Sequence, residues 1–142
     1  MALTALFVFL IDQVSKALAL RFLSSVPTLA VLPGIFHLTL VENTGVAFGL
    51  FRGHGLAVTL GTLAVLGGLG WSALRSQRPP ARMTLLGLGL ILGGAAGNLL
   101  DRVRLGAVVD FFDFRVWPVF NVADSCITVG ALLVALQLMK KR

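Results

Sequence analysis

The sequence predicts an all-α membrane protein with four transmembrane helices and a small extracytoplasmic layer that is β-rich and amphipathic. Of its 142 residues, 57% are hydrophobic and only 13% are charged, whereas soluble domains carry about 25% charged residues. Four apolar segments each approach the roughly 20 residues that a spanning helix needs. These segments leave room only for short connections, so we expect a single domain over residues 1–142.

The first helix is predicted over residues 3–23. This segment lacks a basic leader and contains Asp12 and Lys16, so we expect it to remain as a helix rather than to be removed as a signal peptide. The two side chains are four residues apart on one helix face, with the acid before the base, which favours pairing. We expect them to neutralise each other and to support the helix bundle.

The second helix is predicted over residues 55–74 and the third over residues 83–102. The third carries Gly89, Gly93 and Gly97 at four-residue intervals, a spacing that lets helix backbones approach closely. Its outer end presents three polar side chains at neighbouring helical positions: Asn98, Asp101 and Arg102. They indicate either a site or the support of one.

The fourth helix is predicted over residues 121–139. Asn121 is a suitable N-cap, and this places Asp124 near the third helical position, where free backbone N–H groups and the helix dipole favour a negative charge. An ordinary capping role for Asp124 is therefore one interpretation.

The basic residues predict the orientation. Compact basic clusters lie at residues 75–82 and 140–142, on the same side of an even number of spans, and the positive-inside rule makes that side, with both termini, cytoplasmic. The longer connections, residues 24–54 and 103–120, then lie outside. They contain strand formers at 33–41, an Asn-Thr-Gly turn at 43–45 and most of the aromatic residues.

Four of the six acidic residues are predicted at this outer membrane edge: Asp101, Asp110, Asp113 and Asp124. Two carboxylates that lie close together share a proton, so one can accept a proton from water while the other donates to a carbonyl oxygen. Asp110, on a loop, and Asp124, at a helix start, are candidates for such a pair, with Asp113 as a competitor.

Other chemistries find less support. The only histidines are His37 and His54, without a zinc-protease motif, and there is no G-x-S-x-G motif. We expect no metal and no cofactor. The single cysteine, Cys126, excludes an internal disulfide. The net charge of +6 lies mainly beside apolar segments, which indicates membrane orientation rather than nucleic-acid binding.

A small transporter or proton pathway would use Asp12, Lys16 and Asp101 as relay groups, but such a relay should distribute its acids through the membrane depth. A purely structural subunit would not require paired acids.

Five sequence blocks, in this order along nearly the whole chain, resemble lipoprotein signal peptidase, the bacterial type II signal peptidase. They are DQVSK at 12–16, ENTGVAFG at 42–49, GGAAGNLLDR at 93–102, VVDF at 108–111 and FNVADS at 120–125.

The resemblance implies an aspartic endopeptidase of the bacterial cytoplasmic membrane, with its site near the extracytoplasmic face. Such an enzyme removes the signal peptide from prolipoproteins by cutting just before the diacylglyceryl-modified cysteine. It also implies contact with membrane lipid and inhibition by globomycin; we expect a monomer. The implied catalytic residues are Asp110 and Asp124. The implied substrate contacts are Asn43, Asn98, Arg102 and Asn121, and the implied supporting residues are Asp12, Lys16 and Asp101.

Overall fold

The computed structural model describes residues 1–26, 28–45, 61, 64, 68 and 80–139. Among these residues there are three helices, α1 (Ala2–Leu23), α2 (Arg82–Leu105) and α3 (Val122–Met139). Their bounds agree with the first, third and fourth predicted helices to within three residues. The predicted second helix lies outside the described residues, except for three isolated positions, so four spans are not established by the described part of the chain.

Two of these helices are long and apolar enough to cross a membrane. They are α1 and α2, with 22 and 24 residues, and the apolar stretch of α3, Val122–Gln137, is shorter. Many large apolar side chains are exposed on these helices, including Leu3 at 83% and Phe7 at 65%. A lipid environment would cover such surfaces.

Glycines on α2 let α1 and α3 pack closely against it. A Cβ at Gly93 would lie 2.5 Å from the carbonyl oxygen of Ala5 on α1, and one at Gly94 would lie 2.6 Å from the carbonyl oxygen of Ala123 on α3. The predicted glycine stripe is thus confirmed as a packing surface, and α2 is the central helix.

Three strands form an antiparallel sheet in the order β1 (Leu29–Leu32), β2 (Phe36–Asn43) and β3 (Val108–Asp113). The pairing of β2 with β3 shifts register between Leu38 and Val41, so that Val41 lies opposite Asp110. The predicted β-rich layer is present. The expectation that Asp110 lies on a loop is wrong, because β2 provides a pairing partner for the VVDFFD segment.

The sheet packs against the end of α1 through a small apolar core. Ala19 and Leu23 of α1 contact Phe111 of β3, and Leu38 and Val122 surround them. This core attaches β3 to the helix ends and thereby positions Asp110 beside the first turn of α3.

Candidate active site

Asp110 and Asp124 line the same cavity of about 850 Å³. Asp110 lies within β3 and is 1% exposed, and Asp124 lies half-buried in the first turn of α3. The remaining lining is mainly apolar and aromatic and includes Phe114, Trp117 and Phe120. The fold therefore brings together the two aspartates that the sequence predicts as a pair.

The first turn of α3 holds Asp124 in place by reciprocal capping. The Asn121 side-chain oxygen accepts a 2.9 Å hydrogen bond from the Asp124 backbone N–H, and the Asp124 carboxylate accepts one of 3.3 Å from the Asn121 backbone N–H. This is a capping box with an aspartate as its acid. The predicted N-cap is confirmed, and capping leaves the other oxygen of Asp124, Oδ1, available for a second contact.

Three asparagine side chains donate to the two carboxylates. Asn43 and Asn121 donate to the two oxygens of Asp110 at 2.9 and 2.7 Å, and Asn98 donates to Oδ1 of Asp124 at 2.8 Å. The Asn121 amide also lies 3.1 Å from the Asn98 side-chain oxygen. Every carboxylate oxygen of the pair thus accepts a hydrogen bond, and Asn121 connects both acids.

The environment of Asp110 favours its protonated form. Burial raises the pKa of Asp110 to about 7, against the hydrogen bond from Asn43, and the negative charge of Asp124 adds to the rise. A carboxylic acid with this pKa can hold a proton near neutral pH and donate it to a substrate.

A buried ionic cluster lies behind the pair. The ammonium group of Lys16, on a residue only 2% exposed, lies 2.9 Å from Asp12, 2.7 Å from Asp101 and 2.8 Å from the Asn98 side-chain oxygen. Lys16 has three donors and each has an acceptor. The predicted pairing of Asp12 with Lys16 is confirmed, and Asp101 joins it from α2.

Further contacts attach this cluster to α2 and α3, and the sequence indicated none of them. Asp12 accepts a 3.0 Å hydrogen bond from the backbone N–H of Ala123, at the start of α3. Gln13 donates to Asp101 at 3.1 Å and to the carbonyl of Gly97 at 3.3 Å. Gln13 follows Asp12 directly in the sequence, but only the contact with α2 gives it a role.

Arg102 lines the same cavity from the end of α2. One of its terminal nitrogens donates to the carbonyl of Gly45 at 3.2 Å. Its Nε is buried and has no hydrogen-bond partner in the described part of the chain. Arg102 therefore brings a positive charge to the cavity, while its Nε is enclosed by protein.

Asp113 lies apart from this cavity, at the end of β3. It accepts hydrogen bonds from the Thr39 hydroxyl at 2.7 Å and from the Arg115 backbone at 2.8 Å. Burial acts to raise the pKa of Asp113, but these bonds and the charge of Arg115 hold it below its ordinary value. An aspartate kept ionised in this way is suited to supporting the sheet rather than to acid–base chemistry.

This geometry supports acid–base chemistry by a carboxyl pair. Within the described ranges, no group of three or more histidine, cysteine, aspartate or glutamate residues could hold a metal ion. Among the described residues, the buried ionisable groups of the helices lie at this cavity or directly behind it. This arrangement does not fit a proton pathway, which would spread such groups through the membrane depth.

Comparisons with known proteins agree with this chemistry. Residues 4–140 match the family model described as signal peptidase (SPase) II. Proteins named lipoprotein signal peptidase are similar over most of the chain. The one from Halothermothrix orenii is 40% identical over 139 residues, covering 98% of this chain and 94% of that protein. The one from Caldanaerobacter subterraneus is 46% identical over 128 residues, covering 89% and 87%.

Solved structures share the fold. One, described as a bacterial membrane enzyme determined by the in meso method at 2.3 Å resolution, has a TM-score of 0.86 and 31% identity, covering 97% of this chain and 86% of its own. A second, described in the same way at 1.9 Å, has a TM-score of 0.83 and 30% identity, covering 99% and 92%.

Proposed function

The chain belongs to the signal peptidase (SPase) II family, and we propose that Asp110 and Asp124 are its catalytic pair. It is an aspartic endopeptidase that cleaves signal peptides from prolipoproteins. The observation that carries the proposal is that both acids line one cavity and that buried Asn121 hydrogen-bonds to each of them.

The pair divides one hydrolysis between two carboxyl groups. The ionised member takes a proton from a water molecule, whose oxygen attacks the carbonyl carbon of the scissile peptide bond. The protonated member donates to the carbonyl oxygen as it gains charge. The asparagine donors keep both carboxyl groups oriented, so little rearrangement is needed during the reaction.

The cavity suits a lipidated signal peptide. Its aromatic lining would accept acyl chains, and the guanidinium charge of Arg102 would attract a backbone or ester carbonyl oxygen. Asn43 also lines the cavity and would contact the substrate beside Asp110. The scissile bond is then the one just before the diacylglyceryl-modified cysteine.

The remaining predicted residues support the pair. The side-chain amides of Asn98 and Asn121 donate to the aspartates, so we assign these residues to orienting the acids more than to contacting substrate. Asp12, Lys16 and Asp101 form the buried cluster that connects α1 and α2 behind the site.

The proposed setting is the bacterial cytoplasmic membrane. The chain crosses it four times as one monomeric domain, with residues 55–74 as the second span and both termini in the cytoplasm. The cavity then opens near the extracytoplasmic face, where a signal peptide and membrane lipid can reach it laterally. Globomycin would occupy the same cavity.

The test is cleavage of a diacylglyceryl-modified precursor by purified protein, scored by gel shift, with globomycin as the inhibitor control. Asp110→Asn and Asp124→Asn should each abolish cleavage while the protein stays folded in detergent. Asp113→Asn is the matched control and should cleave normally, because Asp113 does not line the cavity. Cleavage at the wild-type rate by either of the first two variants would refute the catalytic pair.

A further inference from the structure

The two aspartates differ in what orients their hydrogen-bond donors. The donors to Asp110 are the side-chain amides of Asn43 and Asn121, and neither amide contacts a cationic side chain among the described residues. The donor to Asp124 is the amide of Asn98, whose oxygen accepts a 2.8 Å hydrogen bond from the Lys16 ammonium.

This contact determines which way the Asn98 carboxamide faces. An ammonium group can only donate, so the carboxamide oxygen must face Lys16 and its NH₂ group must face Asp124. The Asn121 amide also donates to the same oxygen, at 3.1 Å. Donation to the oxygen polarises the amide and strengthens its N–H as a donor.

The position of Asp124 adds to this preference. Asp124 lies in the first turn of α3, where the helix dipole and the free N–H groups stabilise a negative charge. Asp110 lies in a strand, 1% exposed, and has no such helix end.

We propose that Lys16, acting through Asn98, is a positioning residue that makes Asp124 the ionised member of the pair and leaves the proton on Asp110. This inference rests on the proposed catalytic pair. Lys16 does not act on Asp124 through its positive charge alone. Asp12 and Asp101 contact the same ammonium group, so the cluster as a whole has a net charge of one negative unit. Its effect passes through the orientation of the Asn98 amide.

Two other charged groups near the pair, Arg102 and Glu42, can act on it only through space. Arg102 lines the cavity with both acids, and Glu42, the next residue along β2 from Val41, is exposed. Neither donates a hydrogen bond to Asp110 or Asp124 in the described structure.

The assignment gives a balanced reaction. Asp124 takes a proton from water as the water oxygen bonds to the carbonyl carbon, and Asp110 gives its proton to the carbonyl oxygen. In the second step the C–N bond breaks, the leaving nitrogen takes the proton from Asp124, and a hydroxyl of the intermediate returns a proton to Asp110. Both acids regain their starting states.

The pH dependence of kcat/KM for the diacylglyceryl-modified precursor tests the assignment. Asn98→Ala removes a donor from the ionised acid, so the acid limb should move up by about one to two pH units while the alkaline limb stays. Asn43→Ala is the matched control: it removes a donor from Asp110, so the alkaline limb should move up and the acid limb should stay. The opposite pattern, or no movement of either limb, would overturn the assignment.

A second variant tests Lys16 without altering Asn98. Lys16→Met combined with Asp101→Asn keeps the net charge of the cluster, because one positive and one negative charge are removed together. It should move the acid limb in the same direction as Asn98→Ala, and adding Asn98→Ala should give little further shift. An unmoved acid limb, or two fully additive shifts, would show that Lys16 does not act through Asn98.

These outcomes are distinct from a failure of the catalytic pair. If Asp110 and Asp124 do not carry out hydrolysis, Asp110→Asn and Asp124→Asn retain cleavage in the same assay. If they do, the movement of the acid limb of the pH profile in the Lys16 variant decides the role of Lys16.

Discussion

Substitution of Asn121 should reduce both stability and activity, by amounts that two variants can separate. Asn121 is fully buried; its oxygen caps the backbone N–H of Asp124 at 2.9 Å, and its amide donates to Asp110 at 2.7 Å. Loss of an N-cap costs about 1 kcal/mol, and loss of a hydrogen bond to an ionisable group about 2 kcal/mol. Asn121→Ala loses both and should lower the free energy of unfolding by about 3 kcal/mol.

Asn121→Ser separates the two contributions. A serine hydroxyl can still cap the helix but is too short to reach Asp110, so this variant should lose only about 2 kcal/mol. Both variants should cleave the precursor about 30-fold more slowly. They lose a donor to the carboxylate that forms on Asp110 as it gives up its proton, and about 2 kcal/mol in the transition state corresponds to that factor. Unfolding in detergent micelles and initial cleavage rates are the two measurements. Equal stability of the two variants, or wild-type cleavage by Asn121→Ser, would refute this account of Asn121.

Three other predictions use different parts of the molecule. Gly93→Ala should lower the free energy of unfolding by about 1–3 kcal/mol, because its Cβ would lie 2.5 Å from a carbonyl of α1. Gly61→Ala should not, because no atom of the described residues lies within 4 Å of its Cβ. An equal loss in both variants would contradict the packing. The free energy of unfolding should fall by on the order of 4 kcal/mol as pH rises from 3.8 to about 7. Over this range Asp110 ionises in the unfolded chain but stays protonated in the folded protein, because burial disfavours its charge. Asp110→Asn should lack that component of the pH dependence, and an unchanged profile would contradict it. The ionised Asp113 stabilises the wild type above pH 3.8, and this contribution is lost as pH falls through its lowered pKa. Asp113→Asn should lack the contribution, so it should be less stable than wild type at neutral pH but not at acidic pH. Unfolding at both pH values checks this, and a variant as stable as wild type at neutral pH would exclude a stabilising role.

The helices and their ends were predictable from the sequence because their signals are local. Apolar length identified α1 and α2, and the spacing of Asn121 and Asp124 identified the start of α3, where the capping contacts confirm it. A cap depends on residues only three positions apart, so no distant partner is needed to recognise it.

The surroundings of the aspartates were less predictable because they depend on distant pairing. Asp110 was expected on a loop, but β3 pairs with β2, and the bond from Asn43 to Asp110 joins residues 67 positions apart. The contact of Asp12 with Ala123 joins residues 111 positions apart. Neither the strand register nor the contact between Asp12 and Ala123 leaves a local pattern in the sequence.

The contact of Asp12 with α3 also bears on how the protein is made. Asp12 and Lys16 neutralise each other one helical turn apart, so α1 can enter the lipid early in biosynthesis as a self-compensated segment. The other carboxylate oxygen of Asp12 gains its hydrogen bond only after Ala123 has been translated and α3 has docked. The proposed catalytic pair is therefore complete only once α3 is in place, because Asp124 lies on that helix.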